Sequence, residues 1–485
     1  MEVLLIKSLA FSIQSSPRNG AYYNNKTAPY FIEEWPLVSF PTGEFYSGSV
    51  PVNESDPSRT LFFVFKPATE AGPVNETTIW FNGGPGCSSL VGLLQENGPI
   101  LWQPGTYMPT ENPYAWSRIT NMLWVEWPIG VGFTTGNITA YDEVDAARDF
   151  VGFYKNWQKL FEIQHYKTYV TGESYAGRYV PYVAAEMLNQ QDNTYFDVAG
   201  ALIYSPTIGQ YNHVQRNVPT YQFVKANNNL FNFNQSYLAT LEQSSASCGF
   251  TDWLDKYLQF PPPGLQPPVG KDEASEECEI YTNVQLEQII VHPCVSFTDI
   301  TQGCPAPFDP LALHINNDPP AYFNRTDVRQ ALHAPRNFNH AQGDQLNEIW
   351  YECALFATNP FLGPIDGEGP EGQQDISPDP TQSVLPQVIE ATNRVFLGNG
   401  NYDFTVLTNG TLLAIQNMTW NGELGFQQAP SKEFVVPGQG VVGKQHFERG
   451  LLWAELYATS HLPPQRQPQA SLRHLEWLLG RIDEL

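Results

Sequence analysis

Short, almost wholly apolar runs alternate with segments of helical periodicity along this chain, and few folds accommodate that pattern. The runs are Leu61–Phe65, Thr78–Phe81, Met122–Trp127, Thr168–Thr171, Gly200–Tyr204, Arg394–Leu397 and Leu452–Leu456. Each is short for a helix and too continuous to leave one face in water, so each reads as a buried strand. Tyr141–Phe161 and Gly177–Leu188 read as helices between them, and Ala470–Leu479 as a terminal helix. Strands without a polar face need helices on both sides. The expected fold class is therefore α/β, with a mostly parallel central sheet.

The segment from Pro206 to Pro320 breaks the alternation. It holds Cys248, Cys278, Cys294 and Cys304, the run Pro261-Pro-Pro-Gly-Leu-Gln-Pro-Pro and the acid cluster Asp272–Glu279. It is too long for a plain connection, and is expected to be an inserted lid stapled by disulfides. The chain then divides into an N-terminal segment (1–35), a first core part (36–205), the lid (206–320) and a second core part (321–485). Gly363–Pro380, poor in apolar residues, is expected to be an exposed loop open to proteolysis.

Charge and cysteine usage narrow the function. There are 25 Lys+Arg against 50 Asp+Glu, a formal net charge of −25. Such a surface excludes nucleic acid and anionic lipid as natural partners. No stretch of about 18 apolar residues exists, so no membrane-spanning helix is expected. The cysteines number six, with Cys87 and Cys353 completing the set, and none form a CxxC pair. Disulfides, not a metal site, are expected. Sequons lie at Asn25, Asn53, Asn75, Asn137, Asn234, Asn324, Asn409 and Asn417. With the cysteines they point to the secretory pathway. The opening residues Met1-Glu-Val-Leu-Leu-Ile-Lys make a poor leader: either the chain starts downstream of its natural beginning or the leader is atypical. The ending Arg481-Ile-Asp-Glu-Leu485 lacks the Lys or His of a lumenal retention signal, so retention is not expected.

The chemistry centres on Thr168-Tyr-Val-Thr-Gly-Glu-Ser174-Tyr-Ala-Gly177. A strand meets a serine flanked by small residues and a helix follows, which is the setting of a nucleophile elbow. Ala176 takes the place of the second glycine of the usual pattern. The partners follow in α/β-hydrolase order: Asp403 after the strand Arg394–Leu397, then His461 after Leu452–Leu456. Both lie where strands end, as catalytic groups in open α/β sheets do. A fourth segment, Trp80-Phe-Asn-Gly-Gly-Pro-Gly-Cys-Ser-Ser89, suits an oxyanion-binding loop. A phosphate cradle does not fit, because no Gly-Lys-Ser/Thr follows.

These motifs together resemble the serine carboxypeptidases. The matching stretches are Trp80–Ser89 with Leu93–Pro99, Asn121–Phe133, Gly172–Pro181, Tyr322–Ala334, Gly398–Asp403 and Ser460–Pro464. They run in family order over roughly residues 40–480, and the likeness is nearest to fungal members. The resemblance implies an α/β-hydrolase fold, no cofactor, and removal of C-terminal residues from peptides and proteins at acidic pH. It implies an oxyanion hole at the N–H groups of Gly84 and Tyr175. It also implies a cradle for the substrate's terminal carboxylate at Asn82, Glu173 and Glu96, with Trp80 alongside. Carboxyl side chains facing a carboxylate must hold protons to help bind it. By the same resemblance Cys87 pairs with Cys353; for the lid, nested bridges Cys248–Cys304 and Cys278–Cys294 are expected.

Some positions depart from the family. Ser460-His461-Leu462 replaces Gly-His-Met, which alters the pocket for the leaving residue. Glu126-Trp127 replaces Asp-Gln, and Ile203-Tyr-Ser-Pro-Thr lacks the usual Gly-Asn. The competing functions are acyl transfer on the same triad and a non-catalytic binding relative. The sequence leaves side-chain preference and oligomeric state open.

Overall fold

The computed structural model describes residues 20–70, 72, 74–269, 276–312, 320–338, 349–353, 360–363 and 374–485. The leader-like start, residues 272–275 of the acid cluster and residues 364–373 of the Gly363–Pro380 segment lie outside the described residues.

A 10-stranded sheet organises the chain. Its strands, in chain order, are β1 (Tyr46–Asn53), β2 (Asp56–Lys66), β3 (Glu76–Phe81), β4 (Asn121–Glu126) and β5 (Lys167–Glu173). They continue with β6 (Asp197–Tyr204), β7 (Val395–Gly400), β8 (Lys432–Val436), β9 (Gly440–Glu448) and β10 (Leu451–Leu456). Across the sheet they lie in the order β1-β2-β4-β3-β5-β6-β7-β10-β9-β8. The pairs from β4 through β3, β5, β6 and β7 to β10 are all parallel. Antiparallel strands extend both edges.

The apolar runs are continuous because both faces are covered. Ile79 and Phe81, Leu123 and Val125, and Ala201 and Ile203 point into one core beneath the helices Glu143–Phe161 (α1) and Ala176–Asn189 (α2). The residues between them, Trp80, Trp124 and Leu202, enter the opposite core, where Leu475 and Trp477 of the helix Pro468–Leu478 close over them. Period-two alternation therefore buries every residue of β3 and β4, and of β6 from Gly200 to Tyr204. Asp142 begins α1 by accepting the Asp145 N–H at 2.9 Å, an N-cap.

The inserted segment forms a third core of its own. Val214, Tyr221, Phe231, Trp253 and Tyr281 pack with Phe404 and Leu407 of the main body. The Tyr281 and Phe404 rings stack at 4.8 Å. The lid bridges differ from the nested expectation. Cys248 is bonded to Cys278 and Cys294 to Cys304, spanning 30 and 10 residues. Each pair is local: Cys248 ends the helix Gln235–Ser247 against the short turn Glu276–Cys278, and Cys294–Cys304 ties off a turn around the Ser296–Asp299 bridge. Cys87 is bonded to Cys353. Among the described residues no cysteine is free, and no helix is long and apolar enough to cross a membrane.

Candidate active site

Ser174 stands between β5 and α2 with φ +63°, a left-handed backbone that is uncommon for serine. Three hydrogen bonds hold it there. Its N–H donates to Tyr204 O at 2.8 Å, and its carbonyl accepts from Gly177 at 2.8 Å and Thr207 at 3.0 Å. The small neighbours are required by space. A Cβ at Gly172 would lie 2.6 Å from the Ala176 Cβ, and one at Gly177 would lie 2.4 Å from the Thr207 nitrogen. This is a strained turn held in place by its surroundings.

Asp403 and His461 meet at the same edge of the sheet, at the ends of β7 and β10. His461 Nδ1 lies 2.8 Å from Asp403 Oδ2. The other oxygen, Asp403 Oδ1, accepts the N–H groups of Thr405 at 2.7 Å and Val406 at 3.0 Å. Both side chains are buried. The lid turn takes part in holding this pair: Thr298 O accepts the His461 N–H at 2.8 Å, and Phe297 O accepts the Phe404 N–H at 3.0 Å. Ser205, at the end of β6 next to the elbow, donates its hydroxyl to His461 O at 3.0 Å. Another aspartate that follows Ser174 in the chain, Asp379, is paired with Arg178 at 2.8 Å instead.

The Gly-rich loop after β3 lies directly on the elbow. A Cβ at Gly83 would come 2.4 Å from the Tyr175 nitrogen and 2.8 Å from the Ser174 Cβ. Among the described residues no backbone carbonyl takes the Gly84 or Tyr175 N–H. Glu126 secures this loop from below, accepting from Ser88 Oγ at 2.6 Å and Trp350 Nε1 at 2.8 Å, and from the Phe133 N–H. Burial pushes the Glu126 carboxyl up to about 7, against these hydrogen bonds.

Asn82 joins two buried carboxyl groups. Its Nδ2 donates to Glu96 Oε1 at 2.9 Å and Glu173 Oε1 at 2.7 Å. Its Oδ1 accepts from Trp80 Nε1 at 2.9 Å and Gly92 N–H at 3.0 Å, which fixes which end of the amide faces the acids. Trp80 is fully buried with its one donor used on Asn82, so it acts through that residue. Glu96 ends an irregular turn, Gly92–Glu96, and the next residue, Asn97, accepts Trp124 Nε1 at 2.8 Å. Burial raises the Glu96 carboxyl; burial and the charge of Glu96 raise Glu173 further. Two acids in one dry site cannot both ionise readily.

Other residues at this edge were not singled out from sequence. A cavity of about 510 Å³ on the Pro85 side of the elbow is lined by Tyr175, Arg178, Tyr211 and Asp375. Tyr175 Oη donates to Asp375 Oδ2 at 2.7 Å. Gln95, next to Glu96, donates Nε2 to Asp309 Oδ1 at 2.8 Å, and Glu352 O accepts the Ser88 N–H of the Gly-rich loop at 2.8 Å. The Cys353 neighbour of Glu352 was the one sequence signal for it.

A family model described as serine carboxypeptidase matches residues 36–481. The chain belongs to the serine carboxypeptidase family. It is 50% identical over 488 residues to serine-type carboxypeptidase F of Aspergillus niger, covering 96% of this chain and 89% of that one. It is 38% identical over 475 residues to a carboxypeptidase Y homolog of Arthroderma benhamiae, with 96% and 89% covered. The fold matches the crystal structure of Kex1(delta)p, a prohormone-processing carboxypeptidase of Saccharomyces cerevisiae, with a TM-score of 0.68 at 21% identity, covering 94% of this chain and 96% of that one. This serine carboxypeptidase therefore has the α/β-hydrolase architecture, and its substrates are peptides or proteins.

Proposed function

We propose that the enzyme removes single C-terminal residues through an acyl-enzyme formed on Ser174. Neutral His461 takes the Ser174 proton as Oγ attacks the scissile carbonyl, then delivers it to the leaving amine; Asp403 holds the imidazole in the required tautomer. The N–H groups of Gly84 and Tyr175 receive the oxyanion. The substrate carboxylate lies against Asn82, Glu96 and Glu173.

The observation that carries this reading is the pair of buried glutamates bridged by Asn82, one of them adjacent in sequence to Ser174. An esterase or endopeptidase has no use for two protonated acids beside its nucleophile, whereas a terminal carboxylate accepts hydrogen bonds from both. The raised Glu96 and Glu173 carboxyls favour work in acid. We take segment 206–320 as a lid over this site.

Three disulfides and the sequons support passage through the secretory pathway, to a secreted or vacuolar destination. Asn25, Asn53, Asn75, Asn137 and Asn234 are exposed. Asn324 is committed instead, with Nδ2 donating to Trp350 O at 2.8 Å, and Asn417 Oδ1 accepts Gln266 N–H at 2.8 Å. We expect glycans on the exposed set.

Mass spectrometry of a mixed peptide library tests the main reading. Single-residue C-terminal ladders are expected from free peptides, and their amidated forms should be attacked much more slowly. Internal cleavage, or equal attack on both forms, would refute it.

A further inference from the structure

Strand β2 ends on a buried charge, Lys66, with no ion-pair partner among the described residues. Lys66 pairs in register with Met122 at the start of β4, so it lies at the opposite edge of the sheet from Ser174, Asp403 and His461. It is 2% exposed. Its Nζ donates to Thr42 O at 2.9 Å and Glu44 O at 3.0 Å, and stands 4.7 Å from the centre of the Phe45 ring. An ammonium has three protons to donate, and these two carbonyls account for only part of that capacity. Glu44, whose charge Lys66 feels, is committed elsewhere: its carboxylate accepts the Ala21 and Tyr22 N–H groups, each at 2.9 Å, and the Tyr46 hydroxyl at 2.6 Å. Burial lowers the Lys66 ammonium to about 8, with the Glu44 charge opposing, so Lys66 is charged at neutral pH and below.

Lys66 lines a cavity of about 720 Å³, a size ordinary for small-molecule sites. Phe40, Pro41, Pro99, Pro113 and Ala115 supply hydrocarbon around it. The other charged groups here stand in water: Glu111 is exposed, and Arg118 is held by Glu70 at 2.7 Å with side chains 37% and 55% exposed. Solvent screens those charges far more than it screens Lys66. Asn112 on the wall donates Nδ2 to Gly98 O at 2.9 Å and Glu96 O at 3.2 Å, so the cavity abuts the main chain of the cradle turn. None of Asn82, Glu96 and Glu173 lines it.

Folding has already taken Lys66 out of water, so an anion that meets it must offset only its own desolvation. The apolar walls favour an anion that carries hydrocarbon, since a small inorganic ion would leave them wet. We infer that this cavity is a second ligand site, taking a small carboxylate with an apolar body whose charged end rests on Lys66. The inference goes beyond the carboxypeptidase reading and stands apart from it.

The probe is hydrocinnamate, with its neutral amide, hydrocinnamamide, as the control. Because the proposed cradle also accepts carboxylates, calorimetric titration is run on Ser174→Ala saturated with an uncleaved peptide. Hydrocinnamate is expected to bind at a single site, and the amide at least about tenfold more weakly. In the same background Lys66→Met should weaken hydrocinnamate about tenfold or more, whereas Lys66→Arg should retain most of the affinity. Circular dichroism checks that each variant folds; if Lys66→Met does not, the comparison of acid with amide on the native lysine decides. Absence of binding, equal binding of acid and amide, or an affinity unmoved in folded Lys66→Met overturns the inference. So does displacement of hydrocinnamate by an equal concentration of sulfate, which would reduce the site to an anion hole with no use for its apolar walls. Peptide turnover, assayed separately on the Ser174 enzyme, is untouched by these outcomes.

Discussion

Asn82 Nδ2 lies 2.7 Å from Glu173 Oε1, and Glu173 is joined by a peptide bond to Ser174. The group proposed to recognise the end of the substrate and the group proposed to attack it therefore share one strained turn. A shift in either moves the other, which suits an enzyme whose cut must fall one residue from the carboxylate.

Ser174→Ala should abolish turnover with the fold intact, a loss on the order of 10⁶ in rate for a triad nucleophile. Steady-state assay with circular dichroism as the folding control checks it. More than about a tenth of wild-type activity would remove Ser174 from the mechanism.

Asp403→Asn should lower kcat by roughly 10⁴, because the amide favours the wrong tautomer of His461. Asp379→Asn should leave His461 alone, since Asp379 serves Arg178 and the Gln210 N–H. If the second variant is dead and the first near normal, the acid has been misassigned.

Raised Glu96 and Glu173 carboxyls hold protons in acid and lose them as pH rises. KM for a peptide with a free C-terminus should therefore climb with pH, without a matching loss of kcat. An amidated peptide or simple ester should show a nearly flat KM. Glu96→Gln with Glu173→Gln should flatten the peptide curve; identical wild-type curves for peptide and ester would exclude the cradle.

Glu126 gives a stability signature separate from catalysis. Its carboxyl is raised from 4.5 to about 7 in the fold, so the folded state binds a proton more tightly than the unfolded chain. The stabilisation is complete below about pH 4.5 and is lost as pH rises through about 7. The ceiling is roughly 3 kcal/mol at about 1.36 kcal/mol per unit. Denaturant melts across that window should show a smaller pH slope in Glu126→Gln than in wild type. Equal slopes would mean that Glu126 is already ionised in the native protein.

Much of this protein was legible in its order of residues. Continuous apolar runs can be buried only between two helical layers, so the parallel centre of the sheet followed from composition within each run. Ser174, Asp403 and His461 were singled out because each follows a run, and strand ends gather at one edge of such a sheet. The antiparallel strands Tyr46–Asn53, Lys432–Val436 and Gly440–Glu448 were not read: at and beside the sheet edges they mix polar and apolar residues and carry a weaker pattern. Only the tertiary structure decided the lid bridges, because cysteine spacing is equally compatible with several pairings and the helix ending at Cys248 had to be placed first. Only the tertiary structure turned Trp80 from a neighbour of the substrate into the residue that orients Asn82. It alone also brought Glu352, Asp309 and Gln95 together, since long-range contacts between loops leave no periodic trace in sequence.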